Sequence, residues 1–302
     1  MLKKQYFIAL LIFSFIYPSE SSLDLISLVK KGRDYFSINV SPDGFSAAVT
    51  NSNYSNLHIA SDEYFKNVDM ENINAFQCRW SPDGEKLMVM RSLFDNRRRL
   101  NSLIVLNKHG NLLDIIIDFS NQRILPIGWT GNSTLHYLLD DQLKTKNMNR
   151  SKNEWDSPLI FAIKNKLYEK GSDKGFQLLH EAQDMILNLS YSSDATLIVF
   201  EIYGGETVVI QNRKLIKTGI RNGNAPTVSP DGEKIVFMII EDDGYQIQSG
   251  AISYWDSKTG KIYPIIDDPK IVAMNPAWSN NNLIYYINFL DGSIQSAGLG
   301  NR

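Results

Sequence analysis

The sequence predicts an all-β fold, a six-bladed β-propeller of four-stranded antiparallel blades whose last blade is closed by the N-terminal strand. Three observations point to it. The hexapeptide S-P-D-G-E-K is written twice, at Ser81–Lys86 and at Ser229–Lys234. A third S-P-D-G stands at Ser41–Gly44, and worn copies begin at Thr130, Ser192 and Ser279. Each copy is followed by a short apolar run of strand character, such as Leu87–Met90 or Ile235–Phe237.

The turn chemistry explains the repetition. Proline holds φ near −65° at the second turn position. The serine or aspartate oxygen bonds back to the backbone, and glycine takes the left-handed position that follows. Such a turn joins two antiparallel strands through a glycine bulge. Phe76–Trp80 and Ala225–Val228 then lead into two of the copies, and the apolar runs lead out. The motif aspartates Asp43, Asp83, Asp194 and Asp231 occupy the same turn position in different units, which is a structural role.

Starts at 41, 81, 130, 192, 229 and 279 lie 40, 49, 62, 37 and 50 residues apart. A period of roughly 40–50 residues with several strands in each unit is that of a propeller. Strand A enters the turn, strand B leaves it, strand C follows a polar loop, and strand D precedes the next unit. The second unit shows all three later strands, at Leu87–Met90, Leu103–Leu106 and Leu112–Ile117. The last has room for B at Leu283–Phe289 and C at Ser293–Leu299, so Leu23–Val29 is expected to add the fourth strand and lock the ring. In the longest unit the sequence leaves Leu159–Ile163 without a strand assignment.

The stretch Trp80-Ser81-Pro82-Asp83-Gly84, with the apolar strand after it, resembles the WD40-like β-propeller repeat of the TolB-like family. Val40 and Val228 replace the tryptophan in two further copies, and three units match in part. The resemblance spans residues 22–302 and implies the fold rather than a function. TolB-like proteins carry a small α/β domain before the propeller, for which the units leave no room here. Related propellers precede the hydrolase domain of prolyl-oligopeptidase-like enzymes. No G-x-S-x-G nucleophile elbow occurs in this sequence.

Residues 1–21 read as a secretory signal: Lys3 and Lys4, an apolar run from Tyr6 to Tyr17, then Pro18 and Ser19-Glu20-Ser21. The run is shorter than the roughly 20 residues that span a bilayer, so cleavage is expected and no stable membrane span, leaving residues 22–302 as a single periplasmic or secreted domain. Removing the signal takes Lys+Arg from 31 to 29 and Asp+Glu from 33 to 32, a mildly acidic balance that argues against a nucleic-acid binder. Cys78 is the only cysteine, so no disulfide forms within the chain. The four histidines are scattered, without zinc spacing, and no cofactor is expected.

The expected function is a rigid, monomeric binding platform for a protein or peptide in the cell envelope. Its face is the one carrying the B–C and D–A loops, opposite the S-P-D-G turns. Arg97, Arg98, Arg123, Tyr203, Arg221, Asp242 and Tyr245 are the principal candidates there, because Arg and Tyr combine contact area with directional bonds. The same register adds Tyr35, Asn74, Phe76, Gln122, Glu206, Asn222 and Met274. Trp80, Trp129 and Trp278 precede their turns and are expected between blades, whereas Trp155 and Trp255 lie off that pattern as candidate exposed contacts. One alternative is a propeller hydrolase or lactonase with a metal at the channel mouth, for which Asp184, Asn188, Asn224 and Asn275 are the residues to inspect. Asp140-Asp141 and Asp242-Asp243 are weaker calcium candidates. Another alternative is a carbohydrate-binding or sensor module, which needs aromatics clustered at one channel mouth.

Overall fold

A computed structural model of the chain describes residues 34–51, 56–61, 63–71, 73, 78–149, 158–170, 175–279 and 283–299. They form seven antiparallel sheets that follow one another in chain order. Blade 1 is β1 (Tyr35–Val40), β2 (Ser46–Asn51), β3 (Leu57–Ser61) and β4 (Phe65–Asn67). Blade 2 is β5 (Arg79–Trp80), β6 (Lys86–Asp95), β7 (Arg98–Asn107) and β8 (Leu112–Ser120). Blade 3 holds β9 (Ile124–Thr130), β10 (Thr134–Leu139) and β11 (Gln142–Asn147), and blade 4 holds β12 (Leu159–Ile163), β13 (Lys166–Lys170) and β14 (Phe176–Glu181). Blade 5 is β15 (Ile186–Tyr191), β16 (Leu197–Ile202), β17 (Thr207–Gln211) and β18 (Lys214–Ile216). Blade 6 is β19 (Gly223–Val228), β20 (Lys234–Asp242), β21 (Ile247–Asp256) and β22 (Ile262–Ile266), and blade 7 is β23 (Ala273–Trp278), β24 (Leu283–Asn288) and β25 (Ser293–Gly298).

The ring therefore has seven blades, not the six predicted from the turn motif. The 62-residue step between Thr130 and Ser192 contains two blades, and blade 4 carries no S-P-D-G signature. Its described hairpin turns instead at Lys164 and Asn165, with Lys164 at φ 55°. Among the described residues, blades 3, 4 and 7 have three strands rather than four. The expected closing strand, Leu23–Val29, lies outside the described residues.

The motif turns have the predicted construction. The buried Ser41, Ser81, Ser192 and Ser229 each donate from Oγ to the aspartate two residues on, at 2.5–2.6 Å. Each Oγ also accepts the backbone N–H five residues on, at 2.9–3.0 Å. Gly44, Gly84 and Gly232 take φ of 70–75°, and Ala195 fills the same place in blade 5 at φ 52°. The serine thus satisfies the backbone where the ladder ends, and the aspartate holds the serine.

Packing is between blades rather than within one. A middle strand such as β2 or β3 is buried on both faces, because each sheet has a neighbour on either side. Apolar clusters join blades 1 and 2 through Ile59, Trp80 and Leu87, and blades 5 and 6 through Val199, Phe237 and Trp255. Another cluster places Tyr35, Ile38 and Val49 of blade 1 against Tyr285, Ile287 and Ile294 of blade 7, which brings the two ends of the ring together.

A second device recurs at these boundaries. The indole N–H groups of Trp80, Trp129 and Trp278 donate to the backbone oxygens of Asn39, Arg79 and Thr227 in the preceding blade, at 2.9–3.0 Å. Each acceptor stands two residues before the motif serine of its own blade. The expected position of these tryptophans between blades is thereby met, with a polar latch added to the apolar contact. Trp80→Phe keeps most of the packing but removes the indole bond to the Asn39 carbonyl, a ladder residue paired with Ala48, so it is expected to cost about 1 kcal/mol in denaturant unfolding. Unchanged stability would mean that the latch contributes nothing.

Candidate functional site

Because strand B runs away from the S-P-D-G turn, the B–C turns and D–A links meet at the opposite face. In blades 3, 5 and 7 they are bonded to each other. Asp140 N–H donates to Arg123 O at 2.9 Å, Tyr203 N–H to Met185 O at 2.8 Å, and Phe289 N–H to Val272 O at 2.8 Å. The loop face is consequently braced rather than loose.

Arg97, Arg98, Arg123, Tyr203, Arg221, Asp242 and Tyr245 are all exposed and all lie in or beside these connections. Arg97 sits with Asn96 in the two-residue turn between β6 and β7, both at positive φ, and Arg98 opens β7 opposite Asp95. Arg123 Nη1 meets Asp141 at 3.3 Å, and Lys164 Nζ reaches the other oxygen of the same carboxylate at 3.4 Å. A depression of about 410 Å³ opens beside them, lined by Arg123, Lys164, Asn165, Gln183, Asp184 and Met185. The structure thus brings Arg123 and Asp184 together, two residues the sequence assigns to different functions.

Two side chains of the wider set do not reach this surface. Tyr35 and Met274 are buried, as members of the apolar clusters between blades 7 and 1 and between blades 6 and 7. Tyr35 opens β1 and Met274 is the second residue of β23, both innermost strands, and at those positions the side chains turn into the wedge between blades. Trp255 is also buried, so it is no exposed contact. Asn74, Phe76 and Trp155 lie outside the described residues. Sequence reasoning missed Phe94, Met185, Phe289 and Leu290, which are exposed on the loop face. Phe289 was placed inside a strand, but β24 ends one residue earlier.

The asparagines considered for a metal have structural partners. Asn188 and Asn275 sit at equivalent bulges, each four residues before its motif serine, at φ 47° and 52°. Ala225 occupies the same place in blade 6. Asparagine tolerates this left-handed geometry, which is the local signal for its presence. Asn275 Nδ2 donates to Phe36 O at 2.6 Å across the junction of blades 7 and 1, and Asn224 Nδ2 donates to Asn222 O. Asn188 Nδ2 donates to Glu201 at 2.8 Å, and Ala225 N–H donates to the same oxygen. Burial pushes the Glu201 carboxyl above its ordinary range, against the pull of those two donors.

The aspartate pairs are likewise engaged with the backbone. Asp140 accepts from Arg123 N–H and from the Gln122 amide, which hold its carboxyl below the usual range. Asp243 Oδ1 accepts from Tyr245 N–H and Gln246 N–H, which lower its pKa, and Asp242 accepts from Gly244 N–H. Among the described residues, no group of three or more His, Cys, Asp or Glu side chains is placed to hold a metal ion.

Two buried groups lie away from this face. The Cys78 thiol is buried, which pushes its pKa up to about 12 and leaves it unreactive as a nucleophile. His136 bridges three strands of blade 3, with Nε2 2.8 Å from Thr130 Oγ1 and Nδ1 2.9 Å from Thr145 Oγ1. Burial, with a smaller contribution from Lys170, depresses its pKa to about 4.

Seven sheets that follow one another in chain order, the last packed on the first, define a β-propeller. No protein-family model and no curated protein sequence matches the chain. Solved structures do. It is similar to the TolB candidate from Agrobacterium tumefaciens, with TM-score 0.51 and 16% identity over 88% of this chain and 89% of that one. The β-propeller domain of the Trilobed protease from Pyrococcus furiosus, which has an open velcro topology, gives TM-score 0.57 and 14% identity over 90% and 97%. The β-propeller domain of Cps50 (Swd1) from Myceliophteria thermophila gives TM-score 0.56 and 10% identity over 89% and 98%. At such identities the likeness is one of fold, and the link to TolB is distant.

Proposed function

We propose that the chain is an exported propeller whose loop face is a rigid platform for a protein or peptide partner in the cell envelope. The observation that carries this reading is a set of large apolar side chains exposed on the loop-face turns, distinct from those on outer strands such as Leu112 and Ile115 of β8 and Leu215 of β18. Phe94, Tyr203, Tyr245 and Leu290, in or beside four B–C turns, are 78%, 63%, 95% and 63% exposed. The S-P-D-G turns of the other face spend their polar groups on their own backbone. Exposed aromatics beside arginines, on turns braced by backbone bonds, favour recognition of another chain, because little ordering cost is left to meet on binding. Export rests on the N-terminal pattern of Lys3, Lys4 and the apolar run after them.

Affinity capture tests the reading. The mature protein is immobilised, exposed to an envelope extract of its own source, and the retained proteins are identified by mass spectrometry. The parent should retain a specific protein that Arg97→Ala/Arg98→Ala or Tyr245→Ala loses. Retention of nothing, or retention indifferent to every loop-face substitution, would overturn it.

A further inference from the structure

Blades 5, 6 and 7 form an arc whose B–C turns lie wholly within the described residues, and three features coincide on it. The first is a run of apolar anchors on successive turns: Tyr203, then Tyr245, then Phe289 and Leu290. The second is their support. Tyr245 follows a turn held by bonds to Asp242 and Asp243, and the amide of Gln248 also donates to Asp243. Leu290 N–H donates to Asn288 Oδ1, and Tyr203 N–H is tied to Met185 O. A tyrosine that is 95% exposed on a clamped turn buries nothing in the free protein, and holding it there adds no folding energy. The third is charge. Glu206, Glu241, Asp242, Asp243, Asp267 and Asp268 are exposed around these anchors, against Lys217, Arg221 and Lys270.

We infer that this arc binds a basic peptide segment, one whose Lys or Arg side chains alternate with large apolar residues. The apolar residues pack on Tyr203, Tyr245 and Leu290, while the cations meet the surrounding carboxylates and the tyrosine faces. A cation over a tyrosine ring is attracted by its quadrupole, and the nearby carboxylates strengthen that preference. An acidic segment would meet like charge on this arc and is directed instead to the side of the face bearing Arg97 and Arg98. The inference rests on the platform reading and narrows it to one sector and one partner chemistry.

The experiment pans a random dodecapeptide display library on the whole mature protein, then measures selected synthetic peptides by fluorescence polarisation. Enriched sequences should carry net positive charge with at least one large apolar residue. Their affinity should fall by about tenfold or more in Tyr203→Ala/Tyr245→Ala, which is the loss expected of an interface anchor. Glu206→Gln/Asp242→Asn should weaken binding and flatten its salt dependence. Melting curves of the variants, all at exposed positions, should match the parent. Enrichment of acidic peptides lost in Arg97→Ala/Arg98→Ala would overturn the inference and keep the platform. Enrichment of none, or of peptides indifferent to the two tyrosines, would also overturn it. The platform itself is decided separately by the capture experiment.

Discussion

Gly84→Val should be the most destabilising of the single turn substitutions, costing about 3–4 kcal/mol in denaturant unfolding. Two costs add. Gly84 has φ +70°, a conformation in which a β-branched side chain is strained. A Cβ placed there would also lie 2.4 Å from Asp43 Oδ2 and 2.6 Å from its Cγ. Asp43 cannot simply swing aside, because Oδ1 of the same carboxylate accepts from Ser41 Oγ at 2.5 Å and from Phe45 N–H at 3.1 Å. Relieving the clash therefore disrupts the motif turn of the neighbouring blade. Gly232 separates the two costs, since its φ is also +70° but the nearest atom to a Cβ is Ser192 Cβ at 3.0 Å. Gly232→Val should accordingly lose about 2 kcal/mol, most of it from the backbone. Equal losses would show that the Asp43 contact is irrelevant, and a Gly84→Val protein that melts with the parent would refute the turn geometry.

Acidification should destabilise the protein through His136 before the motif aspartates titrate. Its folded pKa of about 4 lies below the 6.5 of an unfolded imidazole, so between those values the unfolded chain binds the extra proton. The stability it contributes is fully present above about pH 6.5 and is lost as pH falls toward 4. The difference is roughly 3 kcal/mol at 1.36 kcal/mol per pH unit. Asp194 and Asp231, held low by their serines and backbone donors, act below this window. Glu201 opposes His136, because its raised pKa makes stability fall as pH rises above its ordinary value of 4.5. The measurement is therefore a difference: unfolding free energy against pH for the parent and for His136→Gln. The variant should be less stable at pH 7 and should lose much less on going to pH 4.5. Parallel curves would show that folding leaves the His136 pKa unshifted.

Much of the fold was legible because its signals are local. Ser, Asp and Gly at fixed offsets close a hairpin by bonds within six residues, so Ser81–Lys86 and Ser229–Lys234 announce their turns without help from the rest of the chain. The tryptophans before three of the turns were read correctly for the same reason, since they share the register of the motif. Blade 4 was not legible. Its strands meet at Lys164-Asn165, where the lysine rather than the asparagine takes positive φ, and a lone asparagine without Gly or Pro is a weak turn signal. The exposed residues of the loop face were half legible: Tyr203 and Tyr245 fall in evident turns. Tyr35 and Met274 instead lie in the first two positions of innermost strands whose inward rotation depends on the neighbouring blade.

The sequence by itself determined that the chain is a ring of repeated antiparallel hairpins, and it singled out the face away from the S-P-D-G turns as the proposed binding face. Only the tertiary structure decided that the ring has seven blades, that blade 7 meets blade 1 through Tyr35 and Tyr285, and which loop-face side chains stand in solvent. The physical reason is that a turn is made by bonds between neighbours in the chain, whereas a blade is made by the two sheets that bury its faces. That burial leaves no fixed spacing in the sequence.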